Sequence, residues 1–238
     1  LKFISSISIL PKILSFEHYY KIIEKSEFVL YFINSTLVSI GTTLSVIILA
    51  TLSGYTIARN KQIWSKQYGN SLLLLQMFPA ILVIIPIFIL FRQFGLLNSY
   101  YGLIILYTTA SLPFAIWMCV GFIQNIPLDL EEAALIDGCT RIQIINKIVI
   151  PLSKPGLVAI MIFVFLMIWN EFLFAITFLS KKNMYTIPIG MQTFIQQQQV
   201  DWGALFASSV LTMIPTIIFF VIVQKHFTSG ALIGGVKG

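Results

Sequence analysis

Charge is what this sequence has little of. Only 10% of its 238 residues are charged, against about a quarter in a soluble domain. Cysteine and histidine are scarcer still, with two of each. Cys119 lies in an apolar run and Cys139 in a polar stretch, which argues against a disulfide. A metal centre needs clustered ligands, and His18 and His226 stand near opposite ends. No Ser/His, paired Asp or His-metal constellation lies in the apolar runs, so no catalytic or metal-ligating residue is assigned. The 15 Lys and Arg are scattered singly or in pairs. Without a basic patch there is no nucleic-acid face, and anionic headgroups are the natural neighbours of a net charge of +6. Absent too is the G-x-x-x-x-G-K-[ST] loop, so the chain cannot cradle nucleotide phosphates. Leu1 opens neither with Met nor with a signal-peptide pattern. The sequence is therefore expected to begin inside a longer chain.

What the sequence does have is apolar length. It is 58% hydrophobic, with a mean hydropathy of +0.91. There are 31 uncharged residues between Glu27 and Arg59, 25 between Lys66 and Arg92, and 36 between Arg92 and Asp129. Pro155–Ser180 holds one charge, Glu171, and Trp202–Gln224 holds none. A spanning helix needs about 20 apolar residues. The runs are continuous and too long for the alternating strands of a barrel. The expected fold is therefore an all-α integral membrane protein with five spans, at about 29–58, 69–91, 102–123, 155–179 and 204–225.

Residues 1–28 mix Lys, Glu and aromatics and read as an interfacial or extracytoplasmic segment. Residues 181–203 are polar and read as a loop with short structure, its QQQQ run at 196–199 as solvated, and 226–238 reads as a cytoplasmic tail. Pro79, Pro86, Pro113 and Pro215 are expected to kink their spans, which membrane helices tolerate. Orientation is weakly encoded, because one set of loops carries eight Lys/Arg and the other seven. The short loop 59–68 has three and 93–101 none, which favours 59–68 inside.

The polar loop 124–154 interrupts this pattern. Asp129-Leu-Glu-Glu132 reads as a helix cap with a Glu at the third helical position. Asp137-Gly138 reads as that helix's end. Thr140-Arg-Ile-Gln143 reads as a second capping box, opening a helix that stops before Pro151. Two short helices with a Gly hinge would then stand clear of the bilayer. Their Ala pair permits close approach of a partner, and their acidic edge suits Arg or Lys. An amphipathic loop lying on the membrane is the alternative.

Glu132-Ala133-Ala134, Gly138 after three residues, then Ile148, Ile150 and Pro151 resemble the EAA loop of bacterial ABC importer permeases. Only Ile150 departs from that pattern, standing where Leu is usual. WNEF at Trp169–Phe172, IPIGM at Ile187–Met191, DWGALFASSVL at Asp201–Leu211 and GALIGGVKG at Gly230–Gly238 are similar to the smaller permease subunit of maltose-type carbohydrate importers. The likeness covers the chain from about Phe28.

The resemblance implies a second homologous permease and two cytoplasmic ATPase subunits, with an extracytoplasmic binding protein delivering substrate. It implies a bacterial cytoplasmic membrane, with the EAA loop and the C-terminus on the cytoplasmic side. ATP and Mg would sit on the ATPases. Six spans are usual in that family, so one is expected to be missing before residue 28. Glu132, Ala133, Ala134, Asp137, Gly138, Ile148 and Pro151 are the implied ATPase-coupling residues.

Some features remain open between functional and plain readings. Asn170 and Glu171 are candidates for pore lining or gating, because a carboxylate within a span usually faces a bundle interior or water. The plain reading of Glu171 is an interfacial residue held by a hydrogen bond. Phe78, Phe88, Trp117 and Trp169 offer stacking faces for sugar rings, although packed or lipid-facing roles are commoner. Pro79 and Pro86 either break a span, exposing backbone to substrate, or simply kink it. The acceptor-like Asn34-Ser35-Thr36 falls inside a span and is read as a chance match. An ion-coupled secondary transporter would need ionisable relays in several spans, and only Glu171 qualifies.

Overall fold

The computed structural model describes residues 15–60, 67, 71–72, 74–195 and 200–234, with side chains to Ile222 except that of residue 25. The described residues form helices almost throughout. In order they are α1 (Glu17–Lys25), α2 (Phe28–Arg59), α3 (Ala80–Gln93), α4 (Tyr100–Gln124), α5 (Leu128–Ile136), α6 (Arg141–Trp169), α7 (Leu173–Phe178), α8 (Ile187–Gln192) and α9 (Trp202–Gly234). Four are long and apolar enough to cross a membrane: α2, α4, α6 and α9 over Trp202–Ile222.

The run 69–91 lies partly outside the described residues. Where it is described it is not one kinked helix. The chain turns at Met77–Phe78, and Pro79 sits in an extended conformation as the cap of α3. Proline has no N–H to give and crowds the preceding turn. Pro86 is absorbed inside α3, and Pro113 and Pro215 inside α4 and α9. The run 155–179 also divides, because α6 ends at Trp169 and α7 starts at Leu173.

Two faces of α2 set the architecture. Ile33, Leu37, Ile40, Leu44, Ile48 and Leu52 are exposed, a stripe at helical spacing suited to lipid. The opposite stripe, Ser35, Ser39, Thr42, Thr43, Ala50, Thr51 and Gly54, is small and buried. Small residues let helix backbones approach closely where no hydrophobic force separates helix from lipid. At Gly54 an added Cβ would stand 2.7 Å from the Cys119 Cβ of α4. Hydroxyls along α2 bond back to their own turn: Thr43 and Thr51 donate to the carbonyls of Ser39 and Ile47 at 2.7 Å.

The bundle end away from α5 is tied by buried amide chemistry. Asn34 Nδ2 donates to the carbonyls of Asn183 and Tyr185 at 3.0 and 2.9 Å, and the Tyr100 hydroxyl donates to its Oδ1 at 2.8 Å. The acceptor-like triplet is thus internal structure. Ser35 Oγ accepts from the Ile187 N–H at the start of α8. Asn98, at φ 51°, turns its Oδ1 toward the N–H groups of Ser180 and Lys181. Asp201 is ion-paired with Lys21 of α1, which holds its carboxyl below the usual range, helped by the Ala204 N–H.

Gly54 and Gly41 give a direct comparison. A Cβ at Gly41 would meet the flexible end of Ile104 at 2.9 Å, whereas at Gly54 it meets the Cβ of Cys119 beside backbone. Gly54→Ala is expected to destabilise the detergent-purified protein by about 1–3 kcal/mol through overpacking. Gly41→Ala should cost less, as thermal unfolding will read. The Lys21–Asp201 tie has its own signature. An Asp with a depressed folded pKa adds stability above its unfolded value of about 3.9 and loses it as pH falls through the folded value. Protease cleavage near residues 195–202 should rise below about pH 4, and with salt at neutral pH.

Candidate functional site

The site is built where α2 and α4 end and α5 begins. Arg59 is the last residue of α2, and Glu131 lies in the first turn of α5, where acidic side chains suit the helix dipole. Glu131 is 2% exposed. Its Oε1 accepts from Arg59 Nε at 2.8 Å and lies 2.6 Å from the second guanidinium nitrogen. Its Oε2 accepts from the Tyr55 hydroxyl at 2.9 Å. Arg59 also donates to the Ile126 carbonyl at 3.1 Å. The carboxylate is therefore satisfied on both oxygens, and the guanidinium spans from α2 to the α4–α5 turn.

Glu132 and Ala133 are exposed beside this anchor, and Ala134 is half-buried. Asp129 is not the cap that its sequence position suggests. Pro127 takes that place without a side-chain hydrogen bond, and Asp129 lies within the helix, its first turn left to dipole effects. The end of α5 follows the expected chemistry. Asp137 is the C-cap, and Gly138 has φ +82°. The Gly138 N–H donates to the Leu135 carbonyl at 3.0 Å and that of Cys139 to Ala134 at 2.9 Å, the paired bonds of a Schellman turn. Nothing lies within 4 Å of a Cβ added at Gly138, so this glycine is required by its backbone angle and not by space.

Thr140 and Gln143 form the capping box: Thr140 Oγ1 accepts from the Gln143 N–H at 3.3 Å, and the Gln143 side chain accepts from the Thr140 N–H at 2.8 Å. The helix so opened does not stop before Pro151. It widens into a π turn at Ile145–Val149, where the Ile150 N–H reaches back to the Ile145 carbonyl, and continues to Trp169. The wider turn relieves the clash that proline's ring makes with the preceding turn. Ile148 is half-buried against the core, and Pro151 is exposed.

Asn170 and Glu171 sit at the other end of α6. The Asn170 side chain is exposed and folds back onto the Leu166 carbonyl at 2.8 Å. Glu171 is half-buried. Its carboxylate accepts from the Phe174 and Ala175 N–H groups at 2.8 and 3.1 Å, and from the Tyr107 hydroxyl of α4. It thus caps α7 and ties it to α4. These two residues and the α5 loop occupy opposite ends of the bundle.

Trp169 is buried, stacked on Phe165 at 5.5 Å, with its Nε1 donating to the Thr212 carbonyl. Phe88 meets Phe178 edge-on. Phe78 and Trp117 are exposed.

Sequence reasoning missed Tyr55, Arg59 and the inward Glu131. A signal was present: adjacent residues on a helix point about 100° apart, so Glu131 and Glu132 cannot share one face.

A bundle of long apolar helices with small-residue contacts between them is the architecture of an integral membrane protein. The chain matches the "Binding-protein-dependent transport system inner membrane component" family over residues 47–231 and belongs to it. It is 34% identical over 232 residues to the trehalose transport system permease protein SugB of Mycobacterium tuberculosis, covering 97% of this chain and 85% of that one. It is 32% identical over 228 residues to the diacetylchitobiose uptake system permease protein DasC of Streptomyces coelicolor, covering 96% and 83%. In fold it is similar to a chain of a bacterial ABC transporter involved in the import of alginate, with a TM-score of 0.81 at 24% identity, over 92% of this chain and 81% of that one. A chain of the MetNI methionine ABC transporter aligns with a TM-score of 0.64 at 14% identity, over 89% of this chain and 97% of that one.

Breaking a buried pair by removing one partner costs about 3–5 kcal/mol. Glu131→Ala and Arg59→Ala are each expected to lower thermal stability by that order. The double variant should lose less than the sum, as a double-mutant cycle on the purified protein would read.

Proposed function

We propose that this chain is one of two homologous permease subunits of an ATP-driven importer of a sugar or oligosaccharide. It passes the closure of two cytoplasmic ATPase subunits to the spans through α5. The observation that carries this reading is the division of α5 into an anchored and an open side. Glu131 is locked to Arg59 and Tyr55, while Glu132, Ala133 and Asp137 are exposed. A small, acidic, rigidly mounted surface is what a cleft on another subunit can grip.

On this reading α5 faces the cytoplasm. Arg59, Arg141 and Lys147 at that end accord with a positive-inside orientation. The broken segment around Pro79 supplies a fifth span together with α3, and helix order then returns the C-terminus to the cytoplasmic side. A solute-binding protein delivers substrate at the end bearing α1, α7 and α8. ATP and Mg belong to the ATPase subunits, and this chain is a transport subunit without enzymatic chemistry of its own. The sugar assignment is supported by relatives named for trehalose and diacetylchitobiose. The fold by itself accommodates other solutes, since a methionine transporter chain shares it.

Gentle detergent purification from the native host, with identification of the accompanying proteins, is the direct test. A second permease and an ATPase pair in stoichiometric amounts are expected, with ATPase activity stimulated by a sugar-loaded binding protein. A chain that purifies alone and transports in vesicles would overturn the reading. Gly138 gives a sharper check on the loop. With open space around it, its substitution acts through backbone strain of about 1–2 kcal/mol. Uptake should fall in the order Gly138→Asn, Gly138→Ala, Gly138→Val, because Asn tolerates the left-handed angle. Equal uptake in all three would remove the turn from the coupling path.

A further inference from the structure

Between α2 and α6 the surface opens into a groove of about 380 Å³. Ile47, Ile48 and Leu52 line it from α2, and Leu157, Val158 and Met161 from α6. Asn146 and Lys154 line the part nearer α5. Thr51 also faces it, but its hydroxyl is engaged by the Ile47 carbonyl. Lys154 and Asn146 are exposed, and among the described residues neither side chain has a hydrogen-bond or ion-pair partner.

The position of Lys154 is the telling feature. It stands where the polar loop passes into the apolar part of α6, on the same groove as Leu157, Val158 and Met161. Its stem can lie along apolar surface while the ammonium reaches for the interface, where an unpaired cation attracts a counter-charge. A phosphodiester at that interface meets the first need. Apolar walls running inward from it meet an acyl chain. A soluble phosphate would gain nothing from Ile48 or Met161. A zwitterionic headgroup would set its own cation beside Lys154. A partner helix seated in the groove would have to bring an acid to Lys154.

We propose that the α2–α6 groove binds an anionic phospholipid from the leaflet at the α5 end. Lys154 and Asn146 hold its phosphate, and one acyl chain lies along Ile47, Ile48, Leu157, Val158 and Met161. The lipid touches Ile145 and Asn146, the first residues of the π turn by which α6 leaves the α5 loop. The inference is independent of the solute carried and of the accompanying subunits.

The test is lipid retention by native mass spectrometry. The protein, with whatever subunits accompany it, is titrated with phosphatidylglycerol or phosphatidylcholine. Wild type should retain phosphatidylglycerol about fivefold better, the worth of one lysine near a charged surface. Lys154→Gln should erase that preference without lowering thermal stability. Val158→Trp, which fills the groove, should reduce retention of both lipids. If it fails to fold, a photo-reactive benzophenone residue at position 48 still reports the occupant. Its cross-linking to lipid supports the proposal. Cross-linking to a second protein subunit, equal retention of the two lipids by wild type, or a preference surviving in Lys154→Gln would overturn it.

Discussion

The guanidinium of Arg59 stands at the end of a 32-residue helix with a buried carboxylate from another helix in its grip. Taking two charges from water is costly unless geometry and additional hydrogen bonds repay it. Here the Tyr55 hydroxyl donates to the second carboxylate oxygen, and the Ile126 carbonyl accepts a hydrogen bond from the guanidinium. The arrangement is satisfied only if α2, the α4–α5 turn and α5 are all in register. A slip of any one strands a charge. The cluster therefore fixes the angle at which α5 leaves the bundle, and through it which residues α5 can present.

The spans themselves depend on closeness more than on charge. Gly54 against Cys119 brings α2 and α4 together near the anchored end, and Gly156 lets Phe122 of α4 lie across α6. Rigidity gathers at these contacts, whereas irregularity gathers at the breaks. Pro79 caps the start of α3, the π turn carries α6 past Pro151, and Asn170–Phe172 separates α6 from α7. Each break finds a partner for its backbone. Glu171 supplies one by accepting from two N–H groups of α7. A carboxylate so used is a structural cap, and its bonds account for its place within an apolar stretch.

Much of this was legible in the residues. Apolar length gave helices that cross, and Gly138 and the Thr140–Gln143 box marked the α5 loop because those signals are local. What escaped was set by contacts distant in sequence. Glu131 read as part of an acidic edge, since nothing nearby announces that Arg59, 72 residues earlier, meets it. Asp129 read as a cap because Asp commonly caps helices, but Pro127 already fixes the entry. Pro151 read as a stop because proline normally is one, and a π turn is not written in any short pattern. The QQQQ run, Lys61, Lys66 and the last four residues lie outside the described residues, so their expected roles as loops and tail rest on sequence alone.

The loop is joined to the spans at both ends by different chemistry. At its start the Arg59–Glu131 pair binds α5 to α2. At its end the Schellman turn and capping box pass directly into α6 without a flexible residue between them, apart from the committed angle at Gly138. A lever needs both a fixed mounting and a stiff arm. A push on the exposed Glu132–Ala133 face of α5 cannot be absorbed by bending at its start without unpairing a buried charge. Nor can it be absorbed at its end without losing the capping bonds. The softest place left on this path is the π turn, where a helix already departs from its ideal register. A displacement of α5 would therefore act on α2 through the buried pair and on α6 through the π turn at Ile145–Val149. The two halves of the bundle that meet at the α2–α6 groove would then move by different amounts.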